Sequence, residues 1–131
     1  MKELCIVTDD RVGLLADISE TLGKKGINIE SIDVEVTGNK AVCRILTSGK
    51  DEASAKRELE RRGFKVLSSD ILVIRLSNRP GELSGVARIL ADKGVNVTNV
   101  HLLTKTGEFV LCAMEVDDNS LASELLARYL E

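Results

Sequence analysis

The sequence predicts an α+β protein made of two copies of one small unit, each an antiparallel sheet with helices on one face. Two observations lead to this fold class. The chain repeats itself at an offset of 68 residues, and each copy alternates short β-forming runs with helical patterns. With 131 residues, 44% of them hydrophobic and 30% charged, the chain can form one ordinary domain or two very small ones.

The repeat is clearest where residues 9–34 are laid over residues 77–102 without a gap. Seven positions are identical, and they pair Arg11 with Arg79, Gly13 with Gly81, Leu15 with Leu83, Leu22 with Leu90, Lys25 with Lys93, Gly26 with Gly94 and Asn28 with Asn96. Glycines and hydrophobic residues recur together, which favours two copies of one structural unit. The polar stretch Ser68-Ser69-Asp70 marks the join, so we expect domains at 1–68 and 69–131.

Each copy opens with a strand and a helix. Apolar β-forming runs predict strands at 4–7 and 71–76. Asp10 and Asn78 are good N-cap residue types, and Pro80 suits a first helical turn. Apolar residues then recur at helical spacing and predict one buried helix face in each copy, formed by Leu15, Ile18 and Leu22 and by Leu83, Val86 and Leu90. Gly26 and Gly94 are expected to end these helices as left-handed caps.

The remaining elements complete a βαββα order. Second strands are expected at 27–37 and 95–104, each with a bulge or bend where the alternation changes phase. Hairpin turns at Gly38-Asn39 and Thr106-Gly107 lead into third strands at 41–48 and 109–116, and second helices follow at 51–62 and 119–130. A fourth strand at 64–67 exists only in copy one. The order is that of the ferredoxin-like split βαβ arrangement, with the second repeat lacking its last strand.

Composition argues against several classes of protein. The net charge of −3 does not favour nucleic-acid binding, and no apolar run is long enough for a membrane span or a signal peptide. Three widely spaced cysteines (Cys5, Cys43 and Cys112) suggest free thiols in a reducing cytoplasm. A single histidine, His101, and the absence of zinc-ligand spacing or a G-x-S-x-G motif predict no metal, no cofactor and no catalysis.

The repeated motif resembles the ACT domain. Copy two has Asn78-Arg79-Pro80-Gly81-Glu82-Leu83 followed by Lys93-Gly94-Val95-Asn96-Val97, and copy one has Asp10-Arg11-Val12-Gly13-Leu14-Leu15 followed by Lys25-Gly26-Ile27-Asn28-Ile29. The resemblance covers nearly the whole chain and implies a small-molecule-binding regulatory module, mostly for amino acids. We therefore expect a stand-alone tandem ACT protein that senses an amino acid or a similar metabolite.

The residues themselves also favour a ligand site at each helix start. The first amides of a helix have no partner within the helix and lie at the positive end of its dipole, where a carboxylate binds well. Gly13 and Gly81 would let an anion approach the backbone. The amide side chain of Asn78 can donate to a carboxylate and accept from an ammonium group, so this loop could hold both ends of an α-amino acid.

By resemblance, the ligand lies between two units. One unit supplies the loop and helix start, and another supplies the Asn at the beginning of its second strand. The implied contacts pair Asn78, Gly81 and Leu83 with Asn28, and pair Asp10, Gly13 and Leu15 with Asn96. Arg79, Glu82 and Leu14 belong to the same loops and are further candidate ligand-binding residues, although the side chain of Arg79 could instead point to solvent or stabilise the loop. A His that is common two residues before the loop Asn is replaced here by Leu76 and Thr8, which argues against a serine-like ligand.

Structural alternatives remain open at several of these positions. Asp10 and Asn78 could serve only as helix caps, which contribute about 1 kcal/mol each. Asn28 and Asn96 follow helix ends, where Asn is common in turns. His101 is expected on the solvent side of a strand, and the cysteines are expected to be buried and inert.

Two other classes of protein are alternatives to an amino-acid sensor. An RNA-binding βαββαβ module would need aromatic residues on its third strand, and residues 41–46 contain none. The remaining alternative is a regulatory subunit or interaction module that binds a metabolic enzyme without a ligand of its own.

The incomplete second copy suggests self-association. Without a fourth strand, residues 71–76 should form a sheet edge with unpaired backbone groups. The third strand of copy two is apolar on both faces, so its open face also needs a cover. These features predict at least a homodimer.

Overall fold

A computed structural model of the protein describes residues 2–105 and 107–130. The chain separates into two compact units, the first ending at Ser69 and the second beginning at Asp70. Each unit has its own sheet and its own hydrophobic core.

The first unit is a four-stranded sheet with two helices. Its elements are β1 (Lys2–Asp9), α1 (Leu14–Gly23), β2 (Ser31–Thr37), β3 (Lys40–Leu46), a 3-10 turn (Gly49–Asp51), α2 (Glu52–Arg61) and β4 (Val66–Asp70). The strand order is β2-β3-β1-β4, and β3 pairs antiparallel with both β1 and β2. The predicted fourth strand of copy one is therefore present beside β1, but it lies at Val66–Asp70 and includes the polar stretch that was expected to form the turn at the join. The Gly38-Asn39 turn joins β2 to β3.

The core of the first unit follows from the period of each element. Alternate residues of β1 and β3 face the helices. The helical residues that pack against them are spaced by about one turn. The buried set is Leu4, Ile6, Ala41, Cys43, Ile45 and Val66 from the sheet, Leu14, Ile18, Leu22, Ala55 and Leu59 from the helices, and Ile27 just after α1. Helices therefore cover one face of the sheet, as expected for the ferredoxin-like arrangement.

The second unit has three strands. Its elements are β5 (Leu72–Ser77), α3 (Glu82–Asp92), β6 (Val97–Lys105), β7 (Phe109–Val116), α4 (Asn119–Leu125) and a 3-10 turn (Ala127–Tyr129). The strand order is β5-β7-β6, with both pairings antiparallel. Up to Leu130, the last described residue, the second repeat has no counterpart of β4, as predicted. The predicted turn at Thr106-Gly107 lies partly outside the described residues.

The predicted open edge of the second unit is partly occupied. The second helix of this unit was expected to reach residue 130, but α4 ends at Leu125 and a 3-10 turn follows. That turn brings Leu130 against β5, where it forms one antiparallel bridge with Ile74. The expectation that the whole edge at 71–76 is unpaired is therefore wrong. Its middle position has a partner from the end of the described chain.

The predicted change of phase in the apolar alternation of the second strands corresponds to a different structure in each unit. In the second unit, the register of β6 against β7 shifts between Val97 and Asn99, which is the expected bulge or irregularity. In the first unit, β2 begins only at Ser31, so residues 27–30 precede the strand. Both strands are accordingly shorter at their start than the sequence predicted.

Gly26 and Gly94 end α1 and α3 as expected. Both have positive φ, 70° and 76°. The amide of Ile27 donates to the carbonyl of Leu22, and that of Val95 donates to the carbonyl of Leu90. These hydrogen bonds satisfy carbonyl groups at the helix ends, and the chain then leads into the next strand.

We expect Gly26→Ala to lower the free energy of unfolding by about 1 kcal/mol, because alanine is strained at positive φ. No atom lies within 4 Å of the added methyl group, so backbone strain is the only cost. Gly23→Ala is the matched control, because Gly23 is the last helical residue and lacks positive φ. Chemical denaturation of both variants measures the difference, and equal destabilisation would contradict this account.

The buried thiols should be unreactive in the folded protein. Burial raises the pKa of Cys43 and of Cys112 to about 11. Alkylation at pH 8 should leave both unmodified until denaturant is added, whereas partly buried Cys5 should react faster. An unfolded thiol deprotonates at a lower pH than these two, so their contribution to stability is present below pH 9 and is lost as pH rises toward 11. Rapid native modification of Cys43 or Cys112 would contradict the burial.

Candidate functional site

Both β–α loops enter their helices through a left-handed glycine. Gly13 (φ 87°) and Gly81 (φ 88°) occupy the N-cap positions of α1 and α3. The prediction that Asp10 and Asn78 are the N-caps is therefore wrong, because each lies just after its strand and three residues before the glycine. Pro80 also precedes the helix. Turning the chain from strand to helix here requires positive φ, which glycine adopts without steric cost.

The glycine N-caps leave the first helical amides without a side-chain cap. In α3 the first helical bond runs from the amide of Gly85 to the carbonyl of Gly81, at 3.0 Å. The amide of Glu82 donates to the carbonyl of Arg79 at 3.4 Å, and Gly81, as the N-cap, has no side chain to offer the amides of Leu83 and Ser84. The same holds in α1, where α-helical bonding begins with Asp17 and Gly13. Two uncapped helix starts can therefore accept an anion.

Helix α4 begins differently, because an acidic side chain caps it. The Asp118 side chain caps α4 by accepting from the amide of Leu121 at 3.0 Å. A carboxylate already fills the acceptor position there. The starts of α1 and α3 differ from that of α4, because their N-cap glycines have no side chain that could accept from a helical amide.

The loop of the second unit is built around Asn78. Its backbone amide donates to the carbonyl of Glu108 at 2.8 Å, and its side-chain Nδ2 donates to the carbonyl of Gly107 at 3.4 Å. Arg79 and Glu82, both candidate ligand-binding residues, form an ion pair with each other at 3.2 Å. The pair spans Gly81 and braces the loop.

An open hollow of about 380 Å³ lies beside Asn78. Its lining residues come from the end of β5 and from the hairpin that precedes β7: Ser77, Asn78, Arg79, Gly107, Glu108 and Phe109. The Arg75 guanidinium lies over the ring of Phe109, 4.5 Å from its centroid. Sequence reasoning missed the three hairpin residues. The pairing of β5 with β7, strands that are distant in sequence, is what places Phe109 opposite Ser77.

The loop of the first unit has a different charge pattern. The backbone amide of Asp10 donates to the carbonyl of Asn39 at 2.9 Å, matching the Asn78 contact. Beside it, Lys40 donates to Asp9, and this hydrogen bond holds the pKa of the Asp9 carboxyl below its ordinary value. The first unit therefore presents two carboxylates and one lysine where the second presents Ser77, Asn78 and Glu108.

Arg11 braces the first loop from the other side. It pairs with Asp17 in the first turns of α1, and its hydrogen bond is the main cause that lowers the pKa of the Asp17 carboxyl. Arg62 also approaches the same carboxylate at 3.6 Å. Arg11 and Arg79 occupy equivalent positions of the repeat, yet Arg11 pairs with Asp17 and Arg79 pairs with Glu82.

The leucines of the repeat do not lie where the helical pattern predicted. Leu15 and Leu83 are 52% and 44% exposed, whereas Leu14 is only 4% exposed. The predicted buried face is therefore wrong at its first position in both helices. Helix α1 starts its buried face at Leu14, and Glu82 stands at that place in α3. Leu15 and Leu83 are left as apolar side chains at the two helix starts.

Asn28 and Asn96 lie far from the loops of their own units. Each follows the glycine that ends the helix, and both side chains are exposed. A helix of ten residues is about 15 Å long, so neither Asn can reach the loop of its own unit. Asn96 also exchanges hydrogen bonds with Asp117, whose side chain accepts from its amide at 2.9 Å.

Other surfaces offer less to a ligand. A hollow of about 210 Å³ lies at the ends of α1 and α2, where side chains of both signs mix; it includes Glu20, Lys24, Glu58 and Arg61. Within residues 2–105 and 107–130, no three His, Cys, Asp or Glu side chains are grouped to hold a metal ion. No helix in the described part of the chain is long and apolar enough to cross a membrane.

Known structures share this architecture. A crystal structure of protein BT0572 from Bacteroides thetaiotaomicron superposes with a TM-score of 0.90 at 22% identity, covering 99% of this chain and 90% of that one. The ligand-free regulatory subunit of aspartate kinase from Thermus thermophilus gives a TM-score of 0.71 at 14% identity, covering 97% and 90%. At these identities the similarity shows the fold alone.

Sequence comparison adds one curated relative and one family. An uncharacterized protein of Methanocaldococcus jannaschii, MJ0241, is 38% identical over 58 residues, which are 44% of this chain and 40% of that protein. The chain thus spans less than half of that relative's length. The ACT domain model matches twice, at residues 4–64 and 71–128. The chain therefore belongs to the ACT domain family and carries two such domains in tandem.

Proposed function

We propose that this chain is a non-catalytic regulatory protein that binds a small amino acid or a similar metabolite. The ACT family is regulatory, and both copies of its motif are present. The observation that carries the proposal is the start of α3, where the N-cap Gly81 makes no side-chain cap bond and Asn78 lies three residues earlier in the same loop. These groups suit a ligand that has both a carboxylate and an ammonium group.

The second unit is the stronger candidate for binding. Its loop residue, Asn78, is neutral, whereas Asp10 would repel the carboxylate of an amino acid. Exposed Leu83 could contact the apolar part of the ligand, and Arg79 and Glu82 stabilise the loop around Gly81. Asn28 of another unit would complete this site. The weaker first-unit site would use Asp10, Gly13, Leu14 and Leu15 with Asn96.

A second candidate is a regulatory subunit that binds a metabolic enzyme without a ligand of its own. The exposed leucines at both helix starts favour this reading, because they could equally meet a protein. We place either function in the cytoplasm, which suits three cysteines that form no disulfide. We also propose that the chain is a homo-oligomer.

Thermal-shift screening against the twenty amino acids tests the proposed ligand class. A compound that binds only the folded state adds about 2.7 kcal/mol at a concentration of 100 Kd, which raises the melting temperature measurably. We expect at least one amino acid to do so. If none shifts the melting temperature at millimolar concentration, the ligand-free regulatory subunit becomes the better account.

Substitution of the loop residues tests which unit binds. Asn78→Ala should weaken binding roughly 10- to 100-fold, because it removes a hydrogen bond to a charged group. Asp10→Ala, at the matching position of the other loop, should have a smaller effect, and Asp10→Asn should strengthen the weaker site. Calorimetry measures all three variants.

A melting curve of each variant provides the control for folding, because Asn78 also bonds to Gly107. Asn28→Ala should weaken the same site without disturbing that contact. Equal losses from Asn78→Ala and Asp10→Ala would mean that the two loops are equivalent or share one site.

A further inference from the structure

Three hydrogen-bond acceptors line the hollow beside Asn78. The carboxylate of Glu108 is exposed and makes no hydrogen bond or ion pair with the described part of the chain. The side-chain amide of Asn78 donates through Nδ2 to the carbonyl of Gly107, which leaves its Oδ1 as an acceptor. The hydroxyl of Ser77 is the third group that can accept, and it lines the same hollow.

The charge that this hollow presents is negative. Arg79 also lines it, but its guanidinium pairs with the Glu82 carboxylate at 3.2 Å, and this ion pair offsets the positive charge. The carboxylate of Glu108 remains without such a partner among the described residues. The ring of Phe109, which is 38% exposed, adds an apolar wall. Arg75 lies over that ring but is not among the residues that line the hollow.

The matching position of the first unit holds an ammonium group. Asp9 lies opposite Lys40 in the pairing of β1 with β3, as Ser77 lies opposite Phe109 in the pairing of β5 with β7. The ammonium group of Lys40 donates to the carboxylate of Asp9. The first unit thus supplies its own ammonium group here. In the second unit Phe109 replaces the lysine, so that position supplies none.

We propose that the hollow binds a small aliphatic amine, with the ammonium group among Glu108, Asn78 and Ser77 and the alkyl stem against Phe109. An ammonium group has three N–H donors, which match the three acceptors, whereas a guanidinium group is a planar fork of five donors. The volume of about 380 Å³ lies near the lower end of the range of roughly 300–1,000 Å³ that is typical of small-ligand pockets. The hollow therefore suits a small molecule.

Other classes of ligand fit this hollow less well. A calcium or magnesium ion requires about six oxygen ligands, and Glu108 is the one acidic residue among those that line the hollow. The described residues also contain no group of three His, Cys, Asp or Glu side chains that could hold a metal ion. An anion would be repelled by Glu108, since the guanidinium of Arg79 is already paired.

This site differs from the proposed amino-acid site at the start of α3. The residues that line the hollow include neither Gly81 nor Leu83. An amine without a carboxylate has no group that the helix amides would bind, so its binding does not depend on the proposed function. Because Asn78 belongs to both sites, Glu108 is the better residue for a test.

Amide spectra of the labelled protein, titrated with butylamine, test the proposal. We expect a dissociation constant on the order of 1 mM, because an exposed carboxylate and two neutral acceptors provide a modest free energy of binding. The signals of Gly107, Glu108 and the Asn78 side chain should shift together. Butanol lacks the charge and butyltrimethylammonium lacks the N–H donors, so both should bind at least about tenfold more weakly.

Substitutions locate the amine within the hollow. Glu108→Gln should raise the dissociation constant about tenfold or more, because it removes the charge and keeps the shape of the side chain. Glu124→Gln is the matched control, since Glu124 is an exposed acidic residue of α4 outside the hollow. Phe109→Lys should prevent butylamine binding, because it introduces the lysine that the first unit has at this position. Melting curves confirm that every variant is folded.

Four results would overturn the proposal. They are no shift of the wild-type signals at about 50 mM butylamine, roughly fifty times the expected dissociation constant, equal binding of butanol or butyltrimethylammonium, unchanged binding by Glu108→Gln, and shifts spread over carboxylates throughout the chain or confined to the start of α3. Amino-acid binding without amine binding would contradict this site alone. Amine binding without amino-acid binding would contradict the proposed function alone.

Discussion

The left-handed glycine at the start of the first helix is the constraint on which each unit depends. Gly13 and Gly81 turn the chain from the end of a central or edge strand into a helix whose next turns form the core. Because glycine has no side chain, the turn provides no cap for the helix amides that follow. The same residue that makes the fold possible therefore leaves donors available to a ligand.

The two copies of this turn have diverged in charge while keeping their backbone contacts. The residue after the strand donates its amide to the neighbouring hairpin in both units, through Asp10 to Asn39 and through Asn78 to Glu108. Around that shared bond, the first unit has the Asp9–Lys40 ion pair, and the second has the hollow beside Asn78. One scaffold thus presents two chemically different loops, which is consistent with one strong and one weak site.

The sequence predicted the order of elements well because glycines and alternating apolar residues encode it locally. Gly26 and Gly94 ended their helices as expected, and the missing fourth strand was visible from the repeat alone. The predictions were wrong where the local sequence allows more than one conformation and tertiary contacts decide between them. Asp10 and Asn78 resembled N-caps, but the turn geometry gave that position to glycine. Leu15 fitted a helical period as well as Leu14 did, and only the position of the sheet shows which of the two is buried.

The bridge between Leu130 and Ile74 was also beyond sequence reasoning, since it depends on α4 ending early. The proposed ligand contacts had a clear signal in the repeated motif. The hairpin residues near Asn78 had none, because their proximity follows from strand register.

Backbone amide spectra of the labelled protein, recorded with each of the twenty amino acids in turn, test the central claim most directly. The account predicts that a binding amino acid shifts the amides of Leu83 and Ser84 and the side-chain amide of Asn78 more than any signal in the core. Amino-acid binding that leaves these signals unchanged, or that shifts only residues away from the two glycine turns, would contradict it.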